Sequence, residues 1–422
     1  MSVMNQPGKF YLGAEYDPDA PQSASDPFML SMRELLSGAV CLGSAGRGSL
    51  GVCVLEEALL QSIPALIVDP TGSLAASLPV GHANAGAEEM RVLALADQAI
   101  FQTYTPGVAE DRPLNVWQSL NQPPASSGLS WARHAGALRT HITQSVSALL
   151  ALAGVDSAAE QAREHVLLTA IFESAWRVGL PLDIGLLIRM IQDPPVARIG
   201  TFDMNVFYPK PDRAALVLAL SNLAAGTSFG AWQTGDPLDV AALLKRRAGA
   251  GGSNPAGKTR ANIFNLAQLQ APERRFFLIM LLSELLMWMN TQIGTSVLRC
   301  LVYLDSAGGL GAPFPKDPLI TELLKGVRLQ SASAGVGLFI AAQHPAELDY
   351  AGLAGIGRWF LSGLRDPAER SAALEGLGMA ASGLDTEDAG RLLAVLPPQV
   401  TLALGPAGAL RVFQPRPAIL DV

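Results

Sequence analysis

The stretch Leu42–Gly51 reads LGSAGRGSLG. A short apolar run, Ala39-Val40-Cys41, precedes it, and a longer one, VCVLEEALL over Val52–Leu60, follows. Strand, glycine-rich turn and helix in that order are the setting of a phosphate-binding loop, whose glycines let backbone N–H groups wrap phosphate oxygens. The start of the next helix adds a partial positive charge. Such a loop follows G-x-x-x-x-G-K-[ST], with the lysine on the β/γ phosphates and the hydroxyl on Mg²⁺. Gly43, Ser44, Gly46, Arg47 and Gly48 keep the frame, but Ser49 stands at the lysine position and Leu50 at the hydroxyl position. A cation against a partly desolvated triphosphate contributes on the order of several kcal/mol, so the exchange is severe. Arg47 is a potential substitute, yet it projects from the loop and not from the first helical turn.

Working outward, PALIVDP (64–70) reads as a second strand apolar on both faces, which closes a βαβ unit of a parallel sheet. LRCLVYLDS (298–306) and GVGLFIAAQH (335–344) are further buried strands, the first ending in Asp305-Ser306 and the second in Gln343-His344. NIFNLAQL (262–269) and RWFLSGL (358–364) add two more, and residues 400–414 read as a C-terminal hairpin. Helices are expected over 272–290 and 317–331. Residues 75–130 look irregular, apart from a candidate strand at AIFQTYTPG; 131–245 shows apolar residues at three- and four-residue spacing, a helical pattern. The expected division is an N-terminal strand and turn (1–30), a first core part with the loop (31–130), a helical insertion (131–245), and a second core part with the hairpin (246–422). Buried strands alternating with helices give an α/β fold with a mostly parallel sheet.

The 422 residues are 49 % apolar and carry a net charge of −7, ample for a large core and no support for strong nonspecific nucleic-acid affinity. Cys41, Cys53 and Cys300 all lie in apolar runs and read as buried free thiols, without disulfide or metal spacing. The apolar run Phe276–Met289 is 14 long and holds Glu284, too short to span a bilayer. With no secretory signal in view, a cytoplasmic protein without a membrane role is expected. The segment 246–258, RRAGAGGSNPAGK, is either a solvated linker or a basic loop that touches nucleic acid or a neighbouring subunit.

Several separated segments resemble the HerA/FtsK-type ATPases, in particular the bacterial HerA-like helicase branch: FYLGAEYDP, AVCLGSAGRGSLGVCVLEEALLQSIPALIVDPTGSL, LRCLVYLDS, GLFIAAQHPAELDYAGLAGIGRWFLSGL and RVFQPRPA. The resemblance runs from about Phe10 to about Leu420 and includes the helical insertion. Family loops read G-M-T-G-S-G-K-T, so Ser49 and Leu50 fall on the Lys and Thr. The family's D-P-K-G-D falls on Asp69-Pro70-Thr71-Gly72-Ser73, its strand-ending D-E on Asp305-Ser306, and its A-T-Q-N-P on Ala341-Ala342-Gln343-His344-Pro345. Gln343 is kept, and Asp305 is kept without the Glu that polarises the attacking water. The family's E-R-M-F-F falls on Glu273-Arg274-Arg275-Phe276-Phe277, which makes Arg274 or Arg275 a candidate for an arginine supplied to a neighbour's nucleotide.

The resemblance implies a RecA-like P-loop NTPase core, ring-shaped oligomers and, in active relatives, ATP- and Mg²⁺-dependent movement on double-stranded DNA. In this chain the cation, the metal hydroxyl and the base are all missing. Three readings follow. One is a pseudo-ATPase, a structural or regulatory subunit in a homo-oligomer or a hetero-oligomer with an active HerA-like paralogue. Another is a translocase or helicase with an unorthodox site. The third is a module that binds nucleotide or DNA without hydrolysis.

Overall fold

Segments apolar at every position cannot sit on a half-wet sheet, and here they form its centre. The computed structural model describes residues 6–18, 26–43, 50–78, 89–155, 162–226, 229–246, 257–305, 317–380, 386–405 and 409–420. They fall into two units, Met1–Thr103 with Ala241–Ala267 and Gln292–Val422, and Tyr104–Val240 with Gln268–Thr291.

The first unit is built on one eleven-stranded sheet: β1 Lys9–Glu15, β2 Pro27–Ser31, β3 Ala39–Gly43, β4 Ala65–Asp69, β5 Ala99–Tyr104, β6 Thr259–Asn265, β7 Cys300–Asp305, β8 Val336–Ala342, β9 Arg358–Ser362, β10 Thr401–Leu404 and β11 Leu410–Pro415. Their order is β2-β1-β11-β10-β9-β3-β8-β7-β4-β6-β5. From β9 to β6 neighbouring strands run parallel, and β3, β4, β7, β8 and β9 are buried at every residue. From β9 to β2 the pairs are antiparallel. The C-terminal hairpin, β10 and β11, is therefore part of the main sheet, and β11 pairs onward with β1. Phe28 of β2 stacks on Phe413 of β11 at 3.8 Å between centroids, one apolar anchor of this antiparallel wing.

Among the described residues ten helices have eight residues or more: α1 Leu50–Leu60, α2 Glu89–Gln98, α3 Trp131–Leu152, α4 Arg163–Val178, α5 Ile184–Gln192, α6 Ala214–Ala225, α7 Ala271–Met289, α8 Pro318–Ala334, α9 Pro367–Ala380 and α10 Thr386–Val395. The Asp317 carboxylate starts α8 by accepting from the N–H groups of Leu319 (2.9 Å) and Ile320 (3.1 Å). In the second unit α7 packs along α3, and α3 along α4. The run Phe276–Ser283 of α7 is buried on all sides, as its unbroken apolar sequence requires. Two indoles tie loops to this unit, Trp117 donating to the Leu182 carbonyl (2.9 Å) and Trp176 to that of Leu120 (3.0 Å).

Four elements depart from the sequence reading. α2 lies within the stretch expected to be irregular, β2 follows the first turn, and α9 and α10 fill the interval between β9 and the hairpin. α7 belongs to the helical unit and not to the sheet unit that surrounds it in sequence. Most of the basic segment 246–258 lies outside the described residues.

Candidate functional site

Parallel strands deliver their carboxyl ends to one edge of a sheet, and in open α/β sheets ligands bind outside that edge. Here the edge carries Gly43 from β3, Gln343 after β8, Asp305 from β7 and Asp69 from β4. Register fixes their spacing: Leu42 pairs with Ala342, Ala341 with Asp305, and Leu304 with Val68. Two strand steps separate Gly43 from Asp305, roughly 10 Å. The loop entry and the retained acid thus share one edge, the arrangement a phosphate loop and its metal acid require.

Gly43 turns the chain out of β3 at φ +100°, and a Cβ there would collide with the Ser362 carbonyl of β9. Only glycine fits, which explains the first glycine of the motif. Ser44, Gly46, Arg47, Gly48, Ser49 and Ser306 lie outside the described residues. The description resumes at Leu50, the first residue of α1, fully buried in the apolar core beside Val52 and Cys53. This is where Mg²⁺·ATP would need a hydroxyl. A buried isobutyl group has no lone pair for a metal, and the residue before it is a serine. Leu50 itself therefore does not fit the Mg²⁺ of a nucleotide complex.

The other edge groups are engaged locally. Asp69 is fully buried, and its carboxylate accepts from the N–H groups of Gly72 (2.9 Å) and Ala75 (2.7 Å). It organises the turn after β4, where Thr71 reaches both Asp69 (3.3 Å) and Ser73 (3.0 Å). Asp305 is buried at the end of β7. Gln343 is half-buried, and its backbone N–H donates to Glu347 (2.8 Å). The next residue, His344, is exposed and bonds Glu369 of α9 through Nδ1 (2.7 Å).

Arg274 and Arg275 sit half-buried near the start of α7 in the helical unit. The Glu273 carboxylate accepts from the Gln270 N–H (2.9 Å), capping the helix.

The sequence reading missed a charged knot inside the sheet unit. Glu56 and Glu57 of α1 are buried, and Arg416 reaches both, Nη1 to Glu56 at 2.9 Å and Nη2 to Glu57 at 3.1 Å. Arg416 also donates to the Tyr11 carbonyl (3.0 Å), Glu56 accepts from the Leu420 N–H (2.8 Å), and Arg91 of α2 pairs with Glu57. Burial raises the Glu56 pKa, and Arg416 opposes that rise. The adjacent acids in an otherwise apolar helix were the available signal; their cation lies some 360 residues away in sequence.

In the helical unit His141 of α3 lies 3.5 Å from Glu284 of α7. Burial pushes Glu284 up to about 8, aided by the charge of Asp239, and lowers the pKa of His141. The three cysteines are buried free thiols, as their apolar settings suggested, and burial holds Cys53 and Cys300 near 12. No helix among the described residues is long and apolar enough to cross a membrane.

No family model matches the sequence, and no curated protein matches it. Solved structures do match the fold. VirB4 of Thermoanaerobacter pseudethanolicus is similar with a TM-score of 0.59 at 14 % identity, over 99 % of this chain and 98 % of that one. The bacterial conjugative coupling protein TrwBΔN70 gives 0.51 at 12 %, over 92 % and 86 %. The plasmid coupling protein TrwB in complex with the GTP analogue GDPNP gives 0.50 at 13 %, over 98 % and 95 %. The chain shares the fold of these proteins, the α/β RecA-like P-loop NTPase fold.

Proposed function

We propose that this chain is a catalytically silent relative of the translocation ATPases, working as a structural or regulatory subunit of an oligomer. It would assemble with itself or with an active HerA-like paralogue in the cytoplasm. The observation that carries this reading is Leu50, fully buried at the first position of α1 where a nucleotide site needs a metal-binding hydroxyl. Ser49 and Ser306 support it, since they remove the cation and the base from the same edge. The full-length likeness to VirB4 supports retention of a motor-type scaffold. Arg274 or Arg275 would then serve as an arginine supplied to the paralogue's nucleotide, acting on charge that develops in another subunit. Double-stranded DNA remains a partner of the assembly rather than of the isolated chain, whose net charge is −7.

The test is an ATPase assay of the purified chain with Mg²⁺, with and without double-stranded DNA. Release of phosphate should stay at the background of buffer. Turnover that disappears in Asp305→Ala would overthrow the reading. With an active paralogue present, Arg274→Ala should lower the paralogue's turnover without changing the mass of the complex.

A second reading, nucleotide binding without hydrolysis, draws on Gly43, whose positive φ preserves the entry to a phosphate loop. Thermal unfolding in ATP or ADP separates the two, because a ligand of the folded state raises the midpoint by mass action.

A further inference from the structure

The main sheet has two terminal strands, β2 and β5, and they are finished differently. An open strand edge carries a row of unpaired N–H and C=O groups, which proteins blunt with proline, charge, a bulge or a covering element. β2 opens with Pro27, and its neighbour β1 carries a bulge between Tyr11 and Gly13. β5, AIFQTY over Ala99–Tyr104, has neither proline nor charge. It pairs with β6 on one side, and on the other no described strand joins it. A strand turns alternate residues to each edge, so about three of the six direct their backbone groups to the free side.

The core also stops short at this strand. Leu78, Leu95, Ala99 and Leu420 belong to the buried apolar cluster of the sheet unit, and Phe101 packs against it. These residues and Ala96 of α2 line a half-open pocket of about 270 Å³. An apolar cavity of about 150 Å³ holds a benzene ring, so this one has room for a large apolar side chain. Next along the strand are polar atoms in want of partners. Gln102 is 4 % exposed, and its Oε1, like the Oγ1 of Thr103, is buried without a hydrogen bond.

We infer that β5 is a docking edge for an extended segment of a partner protein, which adds a strand to the sheet and seats one large apolar side chain in the pocket. Three observations select a strand over a helix or a flat apolar face. The free backbone row of β5 is matched in full only by the backbone of another strand. Ala99 and Phe101 share a face, because side chains alternate along a strand. An added strand therefore sets every second side chain over that same face, where the pocket opens. Gln102 and Thr103 leave oxygen atoms that N–H or hydroxyl donors of a strand can serve and an apolar surface cannot. In this mode of recognition main-chain hydrogen bonds supply affinity and the side-chain pocket supplies specificity. The inference does not depend on whether the chain turns over ATP.

The probes are fluorescein-labelled heptapeptides, Lys-Thr-Val-X-Val-Thr-Lys, with leucine, phenylalanine or alanine at X. Two further copies of the leucine peptide are N-methylated at alternate residues, one along each edge. Fluorescence anisotropy with the full chain should give saturable binding of the leucine or phenylalanine peptide and at least about tenfold weaker binding of the alanine peptide. N-methylation along one edge should abolish binding, and along the other should spare it; this pair reads the edge without any change to the chain. Ala96→Trp fills the pocket from an exposed position of α2, so it should abolish binding without moving the thermal midpoint. Hydrogen exchange should find the bound peptide protecting amides within 99–104. No saturation by any peptide, indifference to N-methylation or to Ala96→Trp, or protection elsewhere would each overturn the inference. So would a native chain that dimerises without peptide and becomes monomeric in Ala96→Trp, since the edge would then belong to a second copy.

Discussion

At position 50 a leucine is held in the core by the same helix that, in a working loop, would present an oxygen to a metal. Leu50→Thr should therefore cost about 2–4 kcal/mol, read as a lower urea midpoint, because it opens a gap and leaves a hydroxyl among apolar neighbours. Ser49→Lys alone should yield no turnover, since no base follows Asp305. Glu284 offers a test by pH. Its pKa is raised to about 8 in the folded state. Folding therefore retains a proton that the unfolded chain sheds above its ordinary value of 4.5, and this contribution is complete below that value. Stability should fall as pH rises toward 8 and level off beyond it. The side chain is 19 % exposed, so residual solvation keeps the slope below about 1.4 kcal/mol per pH unit. His141 works in the opposite sense below its ordinary 6.5, because its lowered pKa makes the unfolded state the better base. Glu284→Gln should abolish the fall between pH 6 and 8 in urea titrations while leaving the acid-side loss in place. The sequence displayed Glu284 as a lone acid in an apolar run but gave no hint of His141 opposite, because that proximity exists only once α3 and α7 pack.

Among elements, those apolar at every residue were legible and those that rely on a distant partner were not. β3, β4, β7 and β8 could be read because a strand buried on both faces tolerates no polar interruption. α9 escaped notice because small residues and two glycines, Gly376 and Gly378, blur its periodicity, and Gly376 is small because the Tyr350 ring lies where its Cβ would be. β2 was hidden by its shortness and by the proline that opens it. The edge of the candidate site was legible as strand endings, Gly43, Asp305 and Gln343, whereas their order across the sheet was not, since strand neighbours are chosen by long-range packing. The charged knot on α1 lay equally out of sight. It makes a prediction at this scale: Arg416→Met leaves Glu56 and Glu57 buried without the cation that both bond and should cost about 3–5 kcal/mol. Replacing Glu56, Glu57, Arg91 and Arg416 together by apolar residues of similar size should cost much less, as a double comparison of urea midpoints would reveal.

For the whole molecule, the excess of acid over base forecasts little grip on nucleic acid. The isolated chain should bind double-stranded DNA more weakly than micromolar at physiological salt, by fluorescence anisotropy, and any binding should decline steeply with added salt. Sheet topology has a different consequence. β1, near the start of the chain, lies between β2 and β11, and β3 waits for β8 and β9, which are encoded roughly 300 residues later. At about 5–20 residues per second, tens of seconds pass on the ribosome before β3 meets its neighbours and β1 meets β11. Through that interval β3, buried at every residue in the finished sheet, waits without either of its partners. Newborn chains should accordingly depend on chaperones that shield this stretch. A polypeptide halted before residue 401 should aggregate rather than fold, its orphaned strands pairing with those of other halted copies.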